Sequence, residues 1–315
     1  MRYFVTGGAG FIGSNYVEHL LRNVQGVTGV TIYDKFTYAA NPKNYSEFSN
    51  DPRLSVVKGD ICDVPTLESS IAKHDFVIHF AAESHVDRSI ESGSAFVTSN
   101  VLGTYNILEA SRNAGIKTIV HVSTDEVYGS IHEGSVNEKY PLFPNSPYSA
   151  SKAGSDLLAR SYVKTYGLDV RTTRSCNNYG KYQYPEKLVP VIIRKLSYKL
   201  PVPVYGDGTN VREWIHVQDN CRAIQLVLEE GSAGATYNIG TGQRVSNLEL
   251  IQRISSIMGM ESDLVELVSD RLGHDFRYAL DSSNISNLGF EPKIDFDFGL
   301  KLTIDWYLKN NSWWV

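Results

Sequence analysis

Apolar positions along the first half of the chain alternate between two spacings. Short runs rich in β-branched and aromatic residues read as buried strands: Arg2-Tyr3-Phe4-Val5-Thr6, Gly29-Val30-Thr31-Ile32-Tyr33, Leu54-Ser55-Val56-Val57-Lys58, Phe76-Val77-Ile78-His79-Phe80 and Ile119-Val120-His121-Val122. Between them the apolar positions take helical spacing. Tyr16, Val17, Leu20 and Leu21 mark a helix from Ser14 to about Arg22, and Phe96, Val97, Val101, Tyr105 and Leu108 mark a longer one over 94–114, with those five largely on one side. Strand and helix in strict alternation predict an α/β fold, a Rossmann-type doubly wound parallel sheet. After Val170-Arg171-Thr172-Thr173-Arg174 the pattern becomes irregular, with helices expected over 186–196, through about Glu229, and over 247–258.

Polar residues cluster where these strands end, and in an open parallel sheet that edge faces the ligand crevice. The first strand runs into Gly7, Gly10 and Gly13 and then a helix. A glycine pattern alone is weak, but between a strand and a helix it gives a tight turn, close backbone approach to a pyrophosphate and free N–H groups. Asp34 ends the second strand about 20 residues past the last glycine, where a carboxylate accepts from a ribose hydroxyl and repels a 2′-phosphate. That predicts NAD over NADP, with Lys35 beside it pulling the other way. Asp60 with Ile61 contacts the adenine ring, or Asp60 caps the helix beginning near Pro65; both remain open. The small turn Ala81-Ala82 after Phe80 lets a dinucleotide lie against the backbone, and Asn100 is suited to hold backbone at the strand ends.

The fifth strand breaks into Ser123-Thr124-Asp125-Glu126. Two adjacent carboxyl groups there serve as an acid and a base, or form a solvated acidic turn. Tyr148 and Lys152 are four apart and share a helix face, so the ammonium favours the phenolate. Arg212 and Arg271 are candidates for a nucleotide diphosphate, since guanidinium matches paired phosphate oxygens. The chain is expected to divide into a dinucleotide-binding region, 1–175 with 211–240, and a smaller discontinuous substrate region, 176–210 and 241–315.

Charge and composition narrow the classes. A net charge of -5 with no polybasic run argues against nucleic acid. No apolar run approaches the ~20 residues that cross a bilayer. Met1-Arg2-Tyr3-Phe4-Val5 leads straight into the glycine turn without the apolar region of a signal peptide. Cys62, Cys176 and Cys221 are scattered, without metal-ligand spacing, and read as reduced thiols of a cytoplasmic protein that binds no metal.

Taken together, Thr6-Gly7-Gly8-Ala9-Gly10-Phe11-Ile12-Gly13 and Tyr148-x-x-x-Lys152 resemble the extended short-chain dehydrogenase/reductases, which act on nucleotide sugars. Within that family, Thr124-Asp125-Glu126-Val127-Tyr128-Gly129, Ala81-Ala82-Glu83-Ser84-His85-Val86-Asp87-Arg88-Ser89, Asn177-Asn178-Tyr179-Gly180 and Arg271-x-Gly-His274-Asp275 look like those of dTDP-glucose 4,6-dehydratases. The match covers nearly the whole chain. Epimerases of the family carry a Ser/Thr-rich segment in place of Asp125-Glu126, and GDP-mannose dehydratases carry Ser-Glu after the Thr. The resemblance implies NAD contacts from Phe11, Ile12, Asp34, Lys35, Phe36, Thr37, Asp60, Ile61, Phe80, Ala81, Ala82, Ser99, Tyr148, Lys152 and Asn178. It implies sugar-nucleotide contacts from Ser84, Thr124, Asp125, Glu126, Tyr148, Asn177, Lys187, Leu188, Pro203, Tyr205, Arg212, Asn238, Arg271 and His274. It also implies a homodimer formed by two long helices from each subunit. Ala40 stands where the family usually has Gly, near the adenosine. Lys181 stands where it usually has Pro, and is expected at the entry to the sugar pocket.

The implied reaction removes water across C5 and C6 of dTDP-glucose and leaves a C4 ketone. Tyr148 takes the C4 hydroxyl proton as NAD takes hydride, Glu126 takes the C5 proton, and Asp125 protonates the leaving C6 hydroxyl. Hydride then returns to C6. Thr124 holds the C4 oxygen, while Lys152 orients the ribose and keeps Tyr148 ionisable. A nucleotide-sugar 4-epimerase and a non-enzymatic dinucleotide-binding regulator are the alternatives.

Overall fold

The computed structural model describes residues 1–260 and 264–313, so residues 261–263, 314 and 315 of the expected 241–315 segment lie outside it. The strands are β1 (Arg2–Thr6), β2 (Gly29–Asp34), β3 (Leu54–Lys58), β4 (Phe76–His79), β5 (Thr118–Thr124), β6 (Val170–Ser175), β7 (Asn177–Tyr179), β8 (Val202–Tyr205), β9 (Val211–His216), β10 (Thr236–Ile239), β11 (Arg244–Ser246) and β12 (Val265–Val268). The helices are α1 (Phe11–Asn23), α2 (Val64–Ile71), α3 (Val86–Glu91), α4 (Ser94–Phe96), α5 (Gly103–Ala114), α6 (Pro147–Tyr166), α7 (Leu188–Ser197), α8 (Val217–Glu230), α9 (Asn247–Met258), α10 (Ser283–Asn287) and α11 (Phe296–Lys309).

A seven-stranded sheet runs β10-β6-β5-β4-β1-β2-β3, every pair parallel. Strand order reverses between β1 and β4, which opens a crevice beyond the carboxyl ends of the central strands. Helices cover both faces, so β1, β2 and β5 are buried along nearly their whole length, while β3 at the edge is half exposed. The smaller region is built on the sheets β11-β9-β7 and β12-β8. Its separate core is made of Val189, Ile192, Trp214, Leu250, Ile254, Leu300 and Tyr307. Thus β9 belongs to the small sheets, whereas β10 joins the large one.

The helix over 94–114 is not uniform. Residues Val97–Leu102 form a π-helical segment between α4 and α5. The wider turn rotates the residues before it relative to those after it. Phe96 and Leu108 are buried while Val97 and Tyr105 face solvent, so the five apolar positions do not share one side as their spacing suggests.

A buried polar network ties α6 to the sheet. Asp156 accepts from Arg174 Nε at 2.8 Å and lies 3.1 Å from His121 Nε2, and Arg174 Nη1 donates to Tyr128 Oη at 2.8 Å. Burial pushes the Asp156 carboxyl up, but His121 and Arg174 outweigh it and hold the carboxyl at about 2. A depressed carboxyl contributes stability that is present above its unfolded value and lost as pH falls through the folded one. Asp156→Asn, which leaves a buried guanidinium unpaired, is expected to cost about 3–5 kcal/mol in urea unfolding, and the deficit to shrink between roughly pH 4 and 2.

Candidate active site

The glycine turn builds one wall of the crevice. Gly7 has φ +67°, and a Cβ there would lie 2.7 Å from Ala81 N; a Cβ at Gly13 would strike the Gly7 carbonyl. Both positions therefore require glycine. The helix α1 begins at Phe11, earlier than Ser14, so its free N–H groups open directly onto the cleft. Asp34 Oδ2 accepts from Ala9 N at 3.0 Å and Oδ1 from Phe36 N at 2.8 Å. Burial raises the Asp34 carboxyl, and the two N–H groups pull it back.

Lys35, Thr37, Ala40, Asp60, Ile61, Phe80, Ala81, Ala82, Ser99 and Asn178 line the same cavity. Phe36 does not: its ring packs against Tyr45 and the main core, because the backbone turns there with φ +57°, and only its amide reaches Asp34. Asp60 pairs with Lys35 at 2.7 Å and accepts from Cys62 N. It caps nothing, since the N-cap of α2 is Asp63. Asn100 holds the loop after β4 with both amide atoms, accepting from Glu83 N and donating to Glu83 O and Ser151 Oγ. The residues present fit NAD: the glycine cradle leaves no room for a Cβ, Asp34 stands at the end of β2, and Asn178 Oδ1 is buried with no hydrogen-bond partner among the described residues.

The end of β5 places Thr124, Asp125 and Glu126 beside Tyr148 and Lys152 in this cleft. Asp125 is buried, which rules out the solvated turn. Thr124 caps the short helical turn after it by accepting from Glu126 N at 3.3 Å. Burial, then the Glu126 charge, pushes the Asp125 carboxyl well above the ordinary range. Burial also raises Glu126, but Arg271, Arg212 and Lys187 draw it back. The expected phenolate at Tyr148 is not what this geometry favours. Burial, then the Glu126 charge, pushes the phenol up, against the Thr124 hydrogen bond. Lys152 donates to Val122 O at 2.8 Å, and burial lowers it to about 8 against the pull of Asp156.

On the substrate side, Ser84, Asn177 and Lys187 line the cavity, Lys187 Nζ donating to Ser84 O at 2.7 Å. Arg271 and Tyr205 meet at Asp87, and His274 is paired with Asp270. Leu188 and Pro203 lie in α7 and β8, Leu188 packed against the smaller core. Two expected contacts fall elsewhere. Asn238 is fully buried in β10, where its amide donates to Val136 O and Asp281 O and accepts from Tyr128, leaving nothing for a sugar. Arg212 is buried, with Nη1 and Nη2 donating to the carbonyls of Val211, Phe276 and Asp275 and its guanidinium over the Tyr278 ring; it acts on the carboxyls as a nearby charge. Lys181 is not at the sugar entry: it pairs with Glu18 of α1 at 2.6 Å.

Sequence reasoning missed Glu186, which lines the cleft and gathers two other segments. Tyr38 Oη donates to it at 3.2 Å, His85 and Arg88 approach at 3.7 and 3.6 Å, and Arg88 lies 3.6 Å above the Tyr38 ring. No local pattern announces this cluster, because its partners are brought together only by the fold. Cys176, read as an ordinary thiol, is a buried part of the cleft lining between β6 and β7.

Residues 4–303 match the family model described as GDP-mannose 4,6 dehydratase. This chain belongs to that family. It is similar to a dTDP-glucose 4,6-dehydratase from an Actinoplanes species, 51% identical over 320 residues and covering 100% of both chains. Among solved structures it is similar to the dTDP-glucose 4,6-dehydratase DesIV from Streptomyces venezuelae with NAD and dTDP bound, with TM-score 0.98, 51% identity, and coverage of 100% of this chain and 99% of that one. A UDP-glucose 4-epimerase from Thermus thermophilus in complex with NAD is also similar, with TM-score 0.88, 31% identity, and coverage of 98% and 99%. The backbone therefore does not separate elimination from epimerisation.

Proposed function

We propose that the chain dehydrates dTDP-glucose to dTDP-4-keto-6-deoxyglucose, with NAD bound against the glycine turn and Asp34. The observation that carries this reading is the split between two adjacent carboxyls. Burial and its neighbour push the Asp125 carboxyl well up, towards the proton-bearing form, while three cations oppose the smaller rise that burial causes at Glu126. Bound NAD supplies a hydride acceptor and donor, so none is consumed overall.

The chain's own residues do the proton work. Tyr148 takes the C4 hydroxyl proton and Thr124 holds that oxygen. Once C4 is a ketone, the C5 proton is acidified; Glu126 removes it and gives it back to C5 after water has left. Asp125 delivers its proton to the departing C6 hydroxyl, which leaves as water. Lys152 sits one helical turn from Tyr148 to orient the ribose. A 4-epimerase would need Tyr148 but no acid–base pair.

Incubating the protein with dTDP-glucose, UDP-glucose and GDP-mannose and weighing the products tests the reading. Loss of the mass of one water from dTDP-glucose supports it, and an unchanged mass with an inverted C4 replaces it with epimerisation. The pH profile follows from the same pair. A base with a raised pKa loses activity as pH falls through it, so the acid limb is expected above the ordinary glutamate value. A protonated acid loses activity as pH rises, which sets the alkaline limb with Asp125.

No helix among the described residues is long and apolar enough to cross a membrane. The free cysteines and the metabolite substrate support a cytoplasmic location. Val97, Leu102 and Tyr105 beside Leu157 and Tyr166 of α6 leave an exposed apolar face on packed helices, which a second copy of the chain would cover.

A further inference from the structure

The basic group expected to receive the substrate's diphosphate already has a carboxylate. Asp87, in α3, places Oδ1 3.4 Å from Arg271 Nη1, and its Oδ2 accepts from Tyr205 Oη at 3.2 Å. Arg271 lies 5.8 Å from the Tyr205 ring centroid, and its Nε is buried with no acceptor among the described residues. Two anionic oxygens bridging a guanidinium and a phenol are the arrangement that phosphate oxygens would adopt. Asp87 comes from the large region, whereas Arg271 and Tyr205 belong to the smaller one. The carboxylate thus reaches across the cleft rather than serving its own neighbourhood.

We propose that Asp87 is a placeholder, a carboxylate that occupies Arg271 and Tyr205 in the resting enzyme and gives them up to the diphosphate of the incoming nucleotide sugar. This rests on the proposed reading of the cleft. The device keeps a guanidinium and a hydroxyl aimed at one point, with the charge balanced, before substrate arrives. It works as a placeholder because the pair is partly open to water: a half-exposed ion pair is weak enough to exchange. A diphosphate brings more charge and more acceptor oxygens, and completes the unmet Arg271 Nε.

The prediction runs opposite to that for a purely structural residue. Asp87→Asn keeps shape and an acceptor for Tyr205 but removes the competing charge. Isothermal titration of the NAD-loaded enzyme is expected to show dTDP and inorganic pyrophosphate binding about two- to fivefold tighter in that variant. The gain should fade at high salt, and Asp87→Glu should stay near the original protein. Unchanged or weaker binding of both ligands to Asp87→Asn would overturn the proposal. If pyrophosphate tightens while dTDP binds neither protein, the placeholder stands and the dTDP reading falls.

Discussion

Asp125→Asn is expected to lower the rate of water loss from dTDP-glucose by about 10²–10⁴-fold, the usual contribution of a positioned general acid. The substitution barely changes volume, and the site is buried, so the polypeptide has no reason to rearrange. What changes is the chemistry: an amide cannot hand a proton to a departing hydroxyl. Burial, then the Glu126 charge, disfavours the charged form of Asp125 and so favours the form that can donate a proton. Oxidation at C4 does not use that proton, so cofactor reduction on adding substrate should persist while the loss of one water's mass does not appear. Dehydration at the original rate would mean that the acid is elsewhere.

Tyr148→Phe is expected to abolish the sequence one step earlier, with a loss of similar size, about 10²–10⁴-fold. Its phenol lines the same cleft as Thr124, Asp125 and Glu126, and in the proposed mechanism it takes the C4 proton. Without it neither cofactor reduction nor water loss should be detectable in a single-turnover experiment. The two variants are informative as a pair. A block at Tyr148 removes both signals, whereas a block at Asp125 separates them. If Tyr148→Phe still reduces cofactor rapidly, another base takes the first proton. Burial raises this phenol, and the Thr124 hydrogen bond opposes the rise.

The parts of the site that were legible in the chain are those set by local rules. A glycine turn between strand and helix, an acid at the end of β2 and a Tyr-x-x-x-Lys on one helix face depend on spacing alone, and all line one cleft. Residues whose role depends on what surrounds them were not legible. Asn238 and Arg212 occupy positions that motifs associate with a ligand, but backbone carbonyls from distant segments engage them first. Phe36 reads as a cofactor contact until a left-handed backbone turn sends its ring into the core. The cluster at Glu186 has no signature, since Tyr38 reaches it from the loop after β2 while His85 and Arg88 reach it from the start of α3.

The alternation of strand and helix, with polar residues at strand ends, determined by itself that a parallel sheet would present an adjacent carboxyl pair at a crevice, because side-chain periodicity is a property of neighbours along the chain. The environments that set the two carboxyls apart were decided only by tertiary structure. Asp125 is buried, and Lys187, Arg212 and Arg271, remote in the chain, converge on Glu126. Desolvation and charge act through space, and proximity in space is what folding supplies.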